Sequence, residues 1–215
     1  MRKNRTIPIK SKPKFAFVVD GECEFWYIQM LIRNERQINV DLKPEIPQRK
    51  KLSELYKKVI ELSKDYDKVF WIIDFDVINS ETKASKKGTK TALQEFKEYC
   101  FTIESKYENI FVIINNPCLE FWILLHFETT SKYFDTCDNA SKQLKKYLKD
   151  YNKSQQYFTK QDNDIYLKLK PFLNKAILNA NKLKQFDFEN PHTALAQMQI
   201  FFETNEIKKY LSEIE

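Results

Sequence analysis

Two acidic turns, far apart along the chain, carry residue types that could bind a divalent cation. One apolar run, residues 15–19, ends in the acidic turn 20–22 (DGE), and another, residues 69–73, ends in the turn 74–76 (DFD). Clustered carboxylates repel one another unless a cation neutralises them, and their oxygen atoms suit Mg²⁺ or Mn²⁺. A cation held in this way can polarise a phosphodiester and activate water. The predicted metal ligands are Asp20, Glu22, Asp74 and Asp76.

The hydrophobic pattern predicts the elements that position these turns. Residues 15–19, 69–73 and 110–114 are continuous apolar runs rich in Val, Ile and aromatic residues, which is typical of strands buried in a parallel sheet. The stretches between them have helical spacing, and the prolines within and after residues 39–46 restrict a strand there to a sheet edge. We therefore predict an α/β fold, in which both acidic turns meet at the carboxyl edge of the sheet.

The residues around the second turn carry two further predictions. Alternation along an extended backbone would place Asp74 and Asp76 on the same side of the sheet. Residues 78–90 have little apolar content, and we predict that they form a mobile basic loop beside the site. The predicted substrate-binding residues belong to this loop and are Lys83, Lys86, Lys87 and Lys90.

Glycine is scarce, with only 2 in 215 residues. This scarcity excludes P-loop and dinucleotide-binding motifs, which need closely spaced glycines to cradle phosphate. Gly21 lies in the first acidic turn, where a tight strand-to-helix bend with positive φ would make any side chain poorly tolerated. Gly88 lies in the predicted basic loop.

Composition and charge indicate the broad class of protein. The chain has 36 basic and 30 acidic residues, and the excess of positive charge comes from residues 1–14. This basic tail either contacts phosphates or only solubilises the chain. The apolar runs are too short to span a bilayer and no secretory signal is evident, so we expect no membrane association. The 4 cysteines are scattered without a CxxC pair, which argues against structural zinc and is typical of the reducing cytoplasm.

The second half of the chain has a helical pattern. We predict helices at residues 118–127, 139–150, 164–183, 193–203 and 205–213. There is no internal repeat and no linker rich in Gly or Pro, so residues 15–215 are predicted to form a single domain.

Three motifs resemble the RloB-like family, whose members have a Toprim-like core: residues 20–27 (DGECEFWY), 74–76 (DFD) and 116–127 (NPCLEFWILLHF). Residues 190–195 (NPHTAL) are similar to the family's C-terminal segment. The resemblance implies a Toprim-like core at about residues 15–127 and a helical part at about residues 128–215. It also implies metal-dependent nucleic-acid cleavage in phage defence, beside an AAA-type ATPase encoded nearby.

The resemblance extends to single residues. Asp74 and Asp76 correspond to the metal-binding pair of Toprim domains. Asp20 stands where those domains carry glutamate, and Glu22 offers the longer reach that Asp20 lacks. Glu120 either joins the acidic site or only interacts favourably with the dipole of its helix. His126 is either catalytic or a buried core histidine. The predicted catalytic residues are Asp20, Glu22, Glu120 and His126.

Three functions remain open at this stage. The first is a Mg²⁺- or Mn²⁺-dependent nuclease, acting on RNA or DNA as the effector of a defence system with its ATPase partner. The second is a catalytically weak or inactive nucleic-acid-binding or sensor subunit, which the shorter Asp20 favours. The third is a phosphatase with Asp74 as nucleophile, which leaves the first acidic turn unexplained. A homo-oligomer is compatible with the sequence.

Overall fold

The computed structural model describes residues 12–38, 40–45 and 51–212, and it contains one five-stranded sheet in the order β2-β1-β3-β4-β5. Strands β1 to β4 are parallel, and β5 pairs antiparallel with the end of β4. The strands are β1 (Lys14–Val19), β2 (Asp41–Glu45), β3 (Lys68–Asp74), β4 (Ile110–Asn116) and β5 (Leu195–Ala196). The predicted α/β class is confirmed, and Pro44 does lie in an edge strand, whereas Pro47 lies outside the described residues. Most of the basic tail lies outside the described residues.

Helices cover both faces of the sheet. The helices are α1 (Glu22–Asn34), α2 (Leu52–Leu62), α3 (Phe75–Ala84), α4 (Ala92–Lys106), α5 (Leu119–Leu125), α6 (Cys137–Leu144), α7 (Gln155–Thr159), α8 (Ile165–Leu169), α9 (Leu173–Asn181), α10 (Gln199–Phe202) and α11 (Asn205–Ser212). Helices α2, α3 and α4 cover one face, and α1 and α5 to α11 contribute to the core on the other. None of the described helices is long and apolar enough to cross a membrane.

The alternation of side chains along the central strands explains why two separate cores form. Phe70 and Ile72 of β3 point into the core with α1 and α5, whereas Trp71 and Ile73 point into the core with α2 and α4. All four are buried, which is why these strands are apolar at every position instead of every second one.

The loop predicted at residues 78–90 is wrong for its first half, because α3 continues to Ala84. Strand β3 ends at Asp74, and the next residue, Phe75, is buried in the second core against Phe186, with ring centroids 4.8 Å apart. The chain therefore becomes helical at once. Asp76 lies in the first turn of α3, so the predicted strand alternation of Asp74 and Asp76 does not apply.

Three of the predicted C-terminal helices differ in the structure. The helix predicted at 139–150 begins at Cys137 and ends at Leu144, because the chain then turns to bring Tyr151 into the core. The helix predicted at 164–183 is interrupted by a 3-10 turn, Lys170–Phe172, since Pro171 lacks the amide hydrogen that an α-helix needs. The segment predicted at 193–203 contains β5 before its short helix, and α5 and α11 lie where helices were predicted.

The cysteine pattern also misled the sequence interpretation. Cys118 and Cys137 form a disulfide, whereas Cys23 and Cys100 are free. No local motif reveals this pair, because the two residues are 19 positions apart and meet only when the start of α6 packs beside the start of α5.

Candidate metal centre

The sheet order creates a crevice between the carboxyl ends of β1 and β3. The chain leaves β1 towards β2 on one side and leaves β3 towards β4 on the other, and the connecting helices cover opposite faces. Such a switch point is where open α/β sheets bind ligands. Asp20 directly follows β1 and Asp74 is the last residue of β3, so both acidic turns reach this crevice.

Five carboxylates interact at the crevice, and we call them the switch-point cluster: Asp20, Glu24, Asp74, Asp76 and Glu120. Burial raises the pKa of Asp20 to about 6, and the nearby Asp76 adds to the effect. Burial also raises the pKa of Asp74 well above its usual value, and the other four carboxylates raise it further. These carboxyl groups therefore hold protons unusually tightly unless another cation neutralises them.

Glu24, and not Glu22, is the residue of α1 that faces the cluster. Glu22 is exposed, whereas Glu24 is only 2% exposed. Burial raises the pKa of Glu24 to about 7, and Glu120 and Asp20 contribute by repulsion. The sequence carried a signal for this, because Glu24 precedes the buried Tyr27, Ile28 and Leu31 by three, four and seven positions and so shares their helix face.

Gly21 is not held in a positive-φ turn, as its φ of −135° and ψ of 174° are extended. The condition under which the backbone would exclude a side chain at Gly21, a positive φ, is therefore not met, although Gly88 does have a φ of +85°. The physical constraint at Gly21 is proximity, since a β-carbon there would lie 2.6 Å from Oε2 of Glu24. The absence of a side chain leaves room for the Glu24 carboxylate.

Gly21→Ala should fold but should bind Mn²⁺ more weakly, by roughly tenfold, since a displaced ligand typically costs this much or more. The extended backbone tolerates alanine, and the flexible Glu24 side chain must move away. Isothermal titration with Mn²⁺ measures the loss, and Gly21→Ala/Glu24→Gln should bind no more weakly than Glu24→Gln alone. A wild-type affinity in Gly21→Ala would show that the position of Glu24 is unimportant for binding.

Glu120 lies at the inner end of the crevice and is already neutralised by protein groups. It is 1% exposed, and its Oε1 accepts hydrogen bonds from the Tyr151 hydroxyl at 2.6 Å and from the Lys153 ammonium at 2.9 Å. Burial alone would lower the pKa of Lys153, but Glu120 and other nearby anionic groups raise it overall. Tyr151 and Lys153 come from the segment after α6, and nothing in the sequence pattern connects them with Glu120.

Asn115 is a polar residue of the crevice that sequence reasoning did not identify as a site residue. It pairs in register with Asp74, so the two side chains are neighbours on the same face of the sheet. It is 0% exposed, and neither its Oδ1 nor its Nδ2 has a hydrogen-bond partner among the described residues. A buried amide without partners is costly unless a ligand satisfies it.

Asn115→Ala should leave the stability of the metal-free protein nearly unchanged, because no hydrogen bond to a described residue is lost. It should weaken Mn²⁺ binding by roughly tenfold or more, since an oxygen donor beside Asp74 disappears. Thermal unfolding with and without Mn²⁺ measures both effects in one experiment. Equal Mn²⁺-induced stabilisation of the variant and the wild type would exclude Asn115 from the site.

His126 lies in the core beyond α5 and away from the carboxylates. It is 0% exposed, its Nδ1 lies 3.1 Å from the Trp122 carbonyl oxygen, and its ring packs against that of Trp122. Burial lowers its pKa to about 4, so it is neutral at physiological pH. Of the two interpretations that the sequence left open, the structure favours the core histidine.

The predicted substrate lysines have different surroundings. Lys83 lies in the last turn of α3 and interacts electrostatically with Asp135, and Lys90 pairs with Glu98 at 2.5 Å. Lys86 and Lys87 are exposed in the short segment between α3 and α4. These lysines thus lie at and after the carboxyl-terminal end of α3, the helix that begins at the crevice.

The donor atoms of the crevice differ in how tightly they group. Among the described residues, Cys118, Glu120 and Cys137 have ligand atoms that all lie within 4.8 Å of one another. The carboxylates of Asp20, Glu24, Asp74 and Asp76 do not appear in such a group, so a cation would have to draw them together. Their oxygen chemistry fits Mg²⁺ or Mn²⁺, and the unpartnered Asn115 amide adds a further oxygen donor.

Fold and crevice together define an α/β protein with a carboxylate-rich site at the switch point of a largely parallel sheet. The model of the RloB-like protein family matches residues 15–201 of the 215, and the chain therefore belongs to the RloB-like family. No curated protein and no solved structure matches the chain.

Proposed function

We propose that this protein is a Mg²⁺- or Mn²⁺-dependent nuclease. The observation that carries the proposal is the switch-point cluster, in which carboxylates from β3, α1, α3, α5 and the end of β1 interact, and in which burial and repulsion raise the pKa of Asp20, Glu24, Asp74 and Asp76. Such an arrangement is unfavourable for the fold alone, and a divalent cation would offset the repulsion. Perturbed carboxylates in a ligand-binding crevice are typical of a functional site.

The residues of the crevice suit this chemistry. Asp20, Glu24, Asp74 and Asp76 would hold the cation, with the Asn115 amide as a further oxygen donor. The cation would polarise a phosphodiester and activate water. Lys153 lies next to Glu120 with 44% of its side chain exposed, so its ammonium can also attract a substrate phosphate.

Basic residues near the crevice support a nucleic-acid substrate. Lys132, Lys142 and Lys146 line a groove of about 300 Å³ together with Tyr133. Asp135 in the same groove interacts with Lys83 of α3, so one of the predicted substrate lysines lies beside the groove. Lysines track phosphates and an aromatic ring can stack on a base.

The role in anti-phage defence and the AAA-type ATPase partner rest on the family assignment alone. Co-purification of the chain with the product of a neighbouring ATPase gene would test the partner. A phage-plaque assay on cells that carry both genes, with and without the Asp74→Ala change, would test the defence role.

Purified protein should cut RNA or DNA only in the presence of Mn²⁺ or Mg²⁺, and Glu24→Gln should lower the rate by roughly a hundredfold. The bound cation stabilises the charge of the transition state by several kcal/mol, and the loss of one of its ligands weakens this effect. Glu22→Gln is the matched control, because it removes a carboxylate from the same helical turn on the exposed side. Gel assays on labelled RNA, single-stranded DNA and duplex DNA give the rates, alone and with the ATPase.

A second candidate is a binding or sensor subunit without turnover. It is favoured by Lys153, which already neutralises one carboxylate of the cluster, and by the short side chain of Asp20. Mn²⁺ binding without cleavage of any substrate would support this candidate. Cleavage that persists in EDTA, or that is equally lost in Glu22→Gln, would contradict the metal-dependent nuclease.

A further inference from the structure

The disulfide Cys118–Cys137 connects two elements that both contact the switch-point cluster. Cys118 is the residue before α5, two positions before Glu120, and Cys137 is the first residue of α6. Cys118 is 0% exposed and Cys137 is 9% exposed. Cys137 is thus the more exposed of the two cysteines, and a reducing thiol would approach the bond from its side.

The first contact is between the sulfurs and Glu120. Oε2 of Glu120 lies 2.9 Å from Sγ of Cys118 and 2.8 Å from Sγ of Cys137. A disulfide sulfur carries no proton and donates no hydrogen bond, whereas two thiols at these positions would both donate to Oε2. Tyr151 and Lys153 donate to the other oxygen, so the oxidation state of the pair decides whether Oε2 is occupied.

The second contact is between the backbone of Cys137 and Asp76. A hydrogen bond from the Cys137 backbone partly offsets the rise in the pKa of Asp76 that burial causes. The disulfide ties the start of α6 to the start of α5 and so holds this backbone group against Asp76. Without the covalent bond, only packing and hydrogen bonds hold the start of α6 beside the cluster.

We propose that Cys118–Cys137 is a redox-reversible site that sets the affinity of the switch-point cluster for its cation. In the disulfide form, Asp76 is anchored and Oε2 of Glu120 accepts no hydrogen bond from the sulfurs, so its negative charge adds to that of the neighbouring carboxylates and the cation binds tightly. In the dithiol form, the thiols occupy Oε2 and the anchor is released, so the cation binds weakly.

The co-reactant is a dithiol, either small or on a redox protein. One of its thiolates attacks Sγ of Cys137, a mixed disulfide forms, and Cys118 leaves as a thiolate that takes up a proton. The second thiol of the reductant then displaces Cys137, whose sulfur lies 2.9 Å from the Lys153 ammonium. Two electrons and two protons pass to the cysteine pair, and the dithiol becomes a disulfide.

The inference rests on the proposed metal site, but its first readout does not. The full chain has 4 cysteines, of which two are free, so a maleimide label applied in denaturant should add two masses to the oxidised protein and four to the reduced protein. Mn²⁺ affinity is then measured by isothermal titration before and after reduction with dithiothreitol, followed by desalting without oxygen. We expect reduction to weaken Mn²⁺ binding by roughly tenfold, the usual effect of losing contacts around a metal ligand.

Two variants complete the experiment. Cys118→Ser/Cys137→Ser keeps donors beside Glu120 without the covalent bond, and it should have the affinity of the reduced wild type whether or not reductant is added. Cys100→Ser is the matched control, because it removes a free cysteine on the other face of the sheet, and it should respond to reductant like the wild type.

The possible results separate the two proposals. Four labels on oxidant-treated protein, or an affinity that is unchanged or higher after reduction, would overturn the redox control and leave the nuclease proposal intact. Two labels without Mn²⁺ binding in either state would overturn both the metal site and its redox control.

Discussion

Asp74→Asn should stabilise the metal-free protein at pH 9 while it abolishes metal-dependent activity. At this pH Asp20 and Glu24, with pKa values of about 6 and 7, are ionised, and asparagine removes a carboxyl group that repels both of them. The amide oxygen can still accept the hydrogen bond that the Leu119 backbone donates to Oδ1 at 3.0 Å. We expect a gain of roughly 1–3 kcal/mol, because each pKa unit of repulsion corresponds to about 1.4 kcal/mol.

The same substitution should remove the response to metal. Excess Mg²⁺ stabilises a protein that binds it, by about 2.7 kcal/mol at a hundredfold excess over Kd, and this increment should disappear in Asp74→Asn. Cleavage should fall by roughly a hundredfold or more. Urea unfolding at pH 9 and pH 5, with and without Mg²⁺, measures the stability. The gain should shrink at pH 5, because Asp20 and Glu24, with pKa values of about 6 and 7, are then largely protonated.

Asp65→Asn provides the control for this experiment, since Asp65 is exposed in the turn after α2. It should change neither the stability nor the cleavage rate. A loss of stability in Asp74→Asn at pH 9 would show that the carboxylates do not repel one another in the metal-free protein.

The metal-free protein should lose stability as the pH rises from about 4 to 8. The pKa of Glu24 is raised from 4.5 to about 7 and that of Asp20 from 3.8 to about 6, so the folded state binds these protons more tightly than the unfolded state. The stabilisation that these two groups contribute is complete below their pKa values in the unfolded state. It is lost as the pH rises through their pKa values in the folded state. Glu24 alone accounts for on the order of 3 kcal/mol.

Comparison of the wild type with Glu24→Gln isolates this contribution from other titrating groups. The variant should be less dependent on pH between 4 and 8, and Glu22→Gln should behave like the wild type. Added Mg²⁺ should flatten the wild-type profile above pH 7, because the cation replaces the protons. A wild-type profile that rises between pH 5 and 8 and is unaffected by Glu24→Gln would contradict the raised pKa of Glu24.

Much of the fold could be predicted because the central strands are buried on both faces. The apolar runs at residues 15–19, 69–73 and 110–114 all lie in parallel strands, and the two acidic turns do meet at one edge. The predictions failed where tertiary contacts override local pattern. The burial of Phe75 makes the basic segment helical, and Asn116 recruits the C-terminal strand by donating to the carbonyl oxygens of Pro191 and Thr193.

The candidate site could be located from the sequence, but its membership could not. Asp20 and Asp74 were found because they follow apolar strands. The choice between Glu22 and Glu24 depends on which face of α1 is buried, and only the structure shows that this face carries Glu24 together with Tyr27 and Ile28. Asn115 and Lys153 carry no motif, since their roles arise from strand register and from the position of the chain after α6.

The two faces of the sheet differ in how the chain must fold to cover them. Helices α2, α3 and α4 come from residues 52–106, and each packs on strands that are close to it in sequence. The core on the opposite face brings α1 together with segments after residue 119. Contacts between distant segments carry a larger loop-closure cost and form more slowly. We therefore expect the face with α2 to α4 to form early. Glu24 and Glu120 then approach Asp74 only when the second face closes, so the repulsive charges are brought together in the last stage of folding.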